Sequence, residues 1–129
     1  MKSVVICGSK RFKEEAIEFG RKLRELGVVT YVPRFHQAQA EWEKLSEDYK
    51  GLIAMGLTHD HFYKIRMADI VFVYNKDGYA GVSTTLEMGF AVALGKPIYA
   101  LSPDPQELCR QVIFKEIISS PEELIKKLQ

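Results

Sequence analysis

The spacing of hydrophobic positions changes several times along the chain, and each change marks an element. Residues 2–7 (KSVVIC) form a short apolar run, a buried strand that breaks at Gly8. Phe12, Ala16, Phe19, Leu23 and Leu26 then recur at helical spacing up to Gly27. Residues 28–32 (VVTYV) predict the next strand, ended by Pro33, which has no N–H to give a sheet ladder. Residues 34–40 show no period and are read as a loop. Trp42, Leu45, Tyr49, Leu52 and Ile53 mark an amphipathic helix ending near Gly56, and Thr58 is placed to cap a further short helix that carries His61, Phe62 and Ile65 up to Ala68.

The most informative stretch follows. Residues 70–74 are a continuous apolar run of β-formers, residues 75–81 hold turn chemistry with two glycines, and residues 86–94 are apolar on nearly every side. A strand over residues 97–101 comes next. Beyond it the pattern gives a turn at 102–105, a short helical piece and a last strand near Ile117 and Ile118. Ser120-Pro121-Glu122-Glu123 then combines a cap residue, a proline at the first helical position and a glutamate at the third.

Strands alternating with helices imply one α/β domain over residues 1–129, a parallel sheet covered by helices on both faces with right-handed crossovers. A flavodoxin-like, five-stranded sheet in the order 2-1-3-4-5 is the expected arrangement. Such sheets bind ligands beyond the carboxyl ends of their strands, where the strand order reverses. Two loops meet at that point: Gly8-Ser9-Lys10-Arg11 and the stretch from Asn75 to Ser83.

Composition narrows the function classes. A chain of 129 residues, 47% of them hydrophobic, can bury a sizeable core. Eighteen basic and 17 acidic residues give a net charge of +1, so no overall field draws it to nucleic acid or to a membrane surface. No apolar run approaches the length of a membrane span, and Met1 leads into a strand rather than a signal peptide; a cytoplasmic location is expected. Of the two cysteines, Cys7 ends a buried strand and reads as core, and neither it nor Cys109 has CxxC or metal spacing.

Glu87 is the one charged residue between Asp77 and Lys96, at the start of an otherwise apolar helix. Two readings account for it. Thr84-Thr85-Leu86-Glu87 has the form of a capping box, in which the glutamate bonds back to the cap residue's N–H. Alternatively it is a carboxylate at the floor of a cleft, able to act as a nucleophile on a sugar carbon or as a general base. The position at the switch point favours the second.

The loop Gly8-Ser9-Lys10-Arg11 has exposed backbone amides at a helix start and a charged fork in Arg11, which suit an anion, but it also reads as an ordinary βα turn. Ser83 and Thr84 can likewise hold a phosphate or cap a helix. His59-Asp60-His61 is not a metal motif, because residues i and i+2 of a helix do not face each other; His61 alone can face the cleft. The run Gly81 to Thr85 lacks the last glycine of a nucleophile elbow, which argues against a serine hydrolase. Phe35, Trp42 and Tyr79 offer rings to stack on a base, though such rings more often serve as core or wall.

Four stretches carry a resemblance: Cys7-Gly8-Ser9-Lys10-Arg11, Ala68-Asp69-Ile70-Val71, Ser83-Thr84-Thr85-Leu86-Glu87-Met88-Gly89, and Ala93-Leu94-Gly95-Lys96-Pro97. Together they resemble the nucleoside 2-deoxyribosyltransferase family, including its deoxynucleoside 5′-monophosphate N-glycosidase branch. The resemblance implies a flavodoxin-like fold and a homo-oligomer; no cofactor and no metal are expected. It also implies a nucleoside or nucleotide substrate, cleaved at its N-glycosidic bond through a covalent sugar intermediate on Glu87. Substrate contacts are then expected from Gly8, Ser9, Arg11, Asn75, Tyr79, Gly81, Ser83 and Thr84. Two positions depart from the family: His61 stands where an aspartate is usual, seven before Ala68, and Gly81 where an acidic or serine residue is frequent, six before Glu87. His61 joins Glu87 as a catalytic candidate. A phosphoribohydrolase similar to the cytokinin-activating enzymes, for which residues 78–87 loosely match a glycine-rich segment, and a nucleotide-binding sensor without catalysis are the competing readings.

Overall fold

In the first strand, side chains alternate between the two faces of the sheet, and that parity decides what each residue meets. The computed structural model describes residues 1–35 and 39–129. In β1 (Val4–Gly8), Val4 and Ile6 enter one core while Val5 and Cys7 enter another on the opposite face. β1 lies between β2 (Thr30–Tyr31) and β3 (Ile70–Tyr74), followed by β4 (Ile98–Ala100) and β5 (Glu116–Ile117). The order is β2-β1-β3-β4-β5 with every neighbouring pair parallel, the flavodoxin-like arrangement read from the sequence. Val4 pairs with Ile70 and Gly8 with Tyr74, so β1 and β3 end level. Their chains then leave in opposite directions, which opens a crevice between them.

One face of the sheet is covered by α1 (Lys13–Glu25) and α6 (Pro121–Lys127). Phe19 of α1 stacks on Phe72 of β3 with ring centroids 4.4 Å apart. Close approach here depends on Gly20, where a Cβ would come within 2.7 Å of Val32. α6 starts as its sequence predicts, with Ser120 Oγ accepting from the Glu123 N–H at 3.2 Å and proline in the first turn. The other face packs Ile65 and Ala68, at the end of α3 (Glu47–Met67), and Met88 and Ala91, on α4 (Val82–Ala93), against Val5, Cys7, Val71 and Val73. Two short helices, α2 (Gln39–Glu43) and α5 (Leu108–Gln111), complete the set. Among the described residues no helix is long and apolar enough to cross a membrane.

Three local expectations are corrected. The break at Gly56 is absent: α3 is one helix of 21 residues, capped by Ser46, whose Oγ accepts from the Tyr49 N–H at 3.3 Å. An interior glycine costs about 1 kcal/mol against alanine, too little to end a helix whose far end is anchored in the core. Thr58 is therefore an interior residue, not a cap. The loop expected over 34–40 is shorter, because Gln39 and Ala40 open α2; residues 36–38 of that expected loop lie outside the described residues. α4 also starts earlier, with Gly81 in extended conformation as its cap and the Thr85 hydroxyl donating back to the Gly81 carbonyl at 2.8 Å. Glu87 thus sits in the second turn, where a capping box is impossible.

Candidate active site

Because Cys7 follows Val5 on the face covered by α3 and α4, its thiol points between those two helices. On α3, His61 precedes the buried Ile65 by four residues and so continues the buried stripe beyond the apolar core. On α4, Glu87 lies one helical turn beyond the buried Thr84. Three elements thereby bring three chemically active side chains together. His61 Nε2 is 2.7 Å from Glu87 Oε2 and 3.3 Å from Cys7 Sγ. Among the described residues, the ligand atoms of these three lie within 4.8 Å of one another.

His61 and Glu87 line a cavity of about 470 Å³ at the carboxyl ends of β1 and β3, and Cys7 lies buried behind them. Gly8, Ser9 and Lys10 form one rim, and the start of α4, with Gly81, Ser83 and Thr84, forms another. Ala54, Leu57, Thr58 and Phe62 of α3 make a wall that is mostly apolar, and Phe35 and Trp42 stand at the side. The lining cations are Lys10 and Arg34, and Glu87 is the one acid among the described lining residues.

His61 is only 5% exposed. Burial, aided by Lys64 and opposed by Asp60, pushes its pKa from 6.5 down to about 4, so the ring is neutral at pH 7. Glu87 consequently faces an uncharged ring rather than a cation. Beside this contact, Glu87 Oε2 and His61 Nδ1 are both buried without a hydrogen-bond partner among the described residues. Burial also pushes the Cys7 thiol pKa well up. Asp60 is turned away and pairs with Lys64 at 2.7 Å.

The expected site residues divide into two groups. Gly8, Ser9, His61, Gly81, Ser83, Thr84 and Glu87 line the cavity; Arg11, Asn75 and Tyr79 do not. The Arg11 guanidinium lies over the Tyr79 ring, 3.6 Å from its centroid. Asn75 is fully buried: its Nδ2 donates to the Ser102 carbonyl at 2.8 Å and its Oδ1 accepts from the Ser102 N–H at 2.9 Å, which ties the end of β3 to the turn after β4. Cys7, Lys10, Arg34 and the α3 wall were not anticipated. The parity of β1 groups Cys7 with Val5, but nothing in the strand's own pattern says which helices cover that face.

The family model for nucleoside 2-deoxyribosyltransferase matches residues 4–125. Among solved structures, the 2-deoxyribosyltransferase of Bacillus psychrosaccharolyticus is 22% identical with a TM-score of 0.64, over 95% of this chain and 89% of that one. The CMP N-glycosidase of Clostridium botulinum is 23% identical with a TM-score of 0.53, over 98% and 97% of the two chains. A conserved protein from Enterococcus faecalis V583 is 15% identical with a TM-score of 0.59, over 99% and 97%. At these identities the likeness speaks for the fold. No curated protein matches the sequence.

Proposed function

The chain belongs to the nucleoside 2-deoxyribosyltransferase family, and from that premise we propose that it cleaves or exchanges the N-glycosidic bond of a nucleoside or nucleoside 5′-monophosphate, with Glu87 as nucleophile. One observation carries this reading: a carboxylate lines the cavity, 2.7 Å from a ring kept neutral by burial, and its Oε2 makes no hydrogen bond among the described residues. An anionic oxygen so placed attacks the anomeric carbon as the C–N bond breaks. The base departs with the bonding electron pair and takes up a proton on the nitrogen it leaves through. Water, giving up a proton, or a second base then displaces the carboxylate from the sugar and restores Glu87.

The rest of the cavity fits such a substrate. Its apolar wall, with Phe35 and Trp42 at the side, suits a planar base. Lys10, Arg34 and the amides at the start of α4 suit a phosphate. A nucleotide-binding module without turnover is the second reading, favoured by the absence of another acid among the described lining residues to protonate the departing base. Incubation with a panel of nucleosides and their 5′-monophosphates, followed by chromatography for free base, separates the two. Release of base, with sugar found on Glu87 by mass spectrometry after acid quenching of a slow substrate, supports the enzyme; tight binding with no release supports the module.

A further inference from the structure

We propose that Cys7, His61 and Glu87 form a binding site for a thiophilic divalent transition ion such as Zn²⁺, and that the ion, once bound, takes the nucleophilic carboxylate out of use. The three donors are a thiol, an imidazole and a carboxylate, the ligand types that zinc accepts, and each comes from a different rigid element. The spacing fits. Donor atoms around a tetrahedral zinc stand roughly 3–4 Å apart, given metal–ligand bonds of about 2.0–2.3 Å. Here Sγ and Nε2 are 3.3 Å apart, Nε2 and Oε2 2.7 Å, and all three donor atoms lie within 4.8 Å, so the Glu87 carboxylate has to swing back from His61 by a few tenths of an ångström to admit an ion.

The polar accounting points the same way. Glu87 Oε2 is buried and lies close to Nε2, yet makes no hydrogen bond among the described residues. Buried polar oxygens are almost always paired, and an orphan aimed at a sulfur and a nitrogen is a donor set lacking its acceptor. Lys64, the nearby cation on α3, is already paired with Asp60. On binding, the Cys7 thiol releases its proton to solvent and the thiolate, Nε2 and the carboxylate oxygen each donate an electron pair to the ion; nothing is oxidised or reduced. Ligation through Nε2 leaves the ring proton on Nδ1. His61 and Glu87 line the cavity, so an ion held between them would be reached from it.

Ion binding rests on the geometry alone; loss of activity rests on the N-glycosidase reading. Cobalt separates the two, because Co²⁺ occupies zinc sites and a thiolate ligand gives it an intense near-ultraviolet charge-transfer band. After chelator treatment and its removal, Co²⁺ titrated into the protein is expected to saturate at a single equivalent with that band and with tetrahedral visible absorption. The band is expected to vanish in Cys7→Ser and to persist in Cys109→Ser, which removes the exposed thiol. Zn²⁺ affinity, measured against a chromophoric chelator, is expected to drop by roughly tenfold or more in His61→Gln. A missing band in the unaltered protein, its survival in folded Cys7→Ser, or unchanged affinity in His61→Gln overturns the site. If base release is measurable, Zn²⁺ is expected to suppress it at one equivalent and a chelator to restore it. If no base is released under any condition, the enzymatic reading fails while the cobalt spectrum still decides the site.

Discussion

The Arg11 guanidinium lies 3.6 Å over the ring of Tyr79, and neither residue reaches the cavity. A cation–π contact of this kind joins the loop after β1 to the loop after β3, and so braces the rim. Lys10 and Arg34 are the cations that line the cavity. If 5′-monophosphates bind more tightly than the matching nucleosides, Lys10→Ala or Arg34→Ala is expected to remove about 1.5–3 kcal/mol of that preference, the strength of a charged hydrogen bond. Arg11→Ala is expected to leave most of it. Calorimetric titration of both ligand types checks this, and a preference abolished by Arg11→Ala alone would refute it.

Glu87 lies in the second turn of α4, so its replacement disturbs no cap. Glu87→Gln removes a buried charge but keeps the shape; its stability is expected to stay within about 1 kcal/mol of the parent or to rise. Base release is expected to fall by about a thousandfold or more, since an amide cannot form the glycosyl ester. Denaturant melts alongside initial rates test both halves. Full activity in the amide variant would exclude the nucleophile.

The His61 ring predicts a pH dependence. Its pKa falls from 6.5 in the unfolded chain to about 4 in the fold, first through burial and then through Lys64, against the pull of Asp60. Glu87 and Cys7 face the ring from the other elements. Between these two pH values the unfolded state holds a proton that the folded state lacks. The stability contribution is therefore complete above pH 6.5 and is lost as pH falls toward 4, by up to about 3 kcal/mol. Melts in the presence of a chelator should show this slope in the parent and a flatter one in His61→Gln. Stability that grew on acidification would instead mean that His61 is protonated and ion-paired with Glu87.

Asn75 gives a prediction of the opposite kind. Both ends of its buried amide bond to the Ser102 backbone, so Asn75→Ala strands a half-buried N–H and a half-buried carbonyl. A loss of about 1–3 kcal/mol is expected in denaturant unfolding, with KM nearly unchanged for the molecules that remain folded. A higher KM at unaltered stability would restore Asn75 as a substrate contact.

On the outer side of α3, Tyr49, Leu52, His59, Tyr63 and Met67 follow one another at intervals of three, seven, four and four residues, and all five are exposed. A stripe of this length, apolar but for His59 and opposite the buried one, suits pairing with the same helix of a second copy. A homo-oligomer is therefore expected in light scattering coupled to size exclusion, and Leu52→Lys with Tyr63→Lys is expected to shift it toward monomer without lowering the helical content. A monomer in the unaltered protein at high concentration would refute the pairing.

The two βα units, the central strand and the parallel order were legible because each rests on local chemistry: apolar runs of four to six residues, a proline that stops a strand, and a serine, proline and glutamate that start a helix. Glu87 was legible as well, since a lone charge in an apolar helix stands out in the sequence alone. The helix boundary before Glu47, where α2 gives way to α3, the unbroken run of α3 through Gly56, and the earlier start of α4 were not. A mid-helix glycine and a run of threonines are near-neutral locally, and packing against the sheet decided both. The meeting of Cys7, His61 and Glu87, separated by 54 residues between the first two and 26 between the last, was decided by tertiary structure only. Strand parity fixes which side chains share a face, whereas which helices cover that face, and at what height, depends on how the whole chain crosses the sheet.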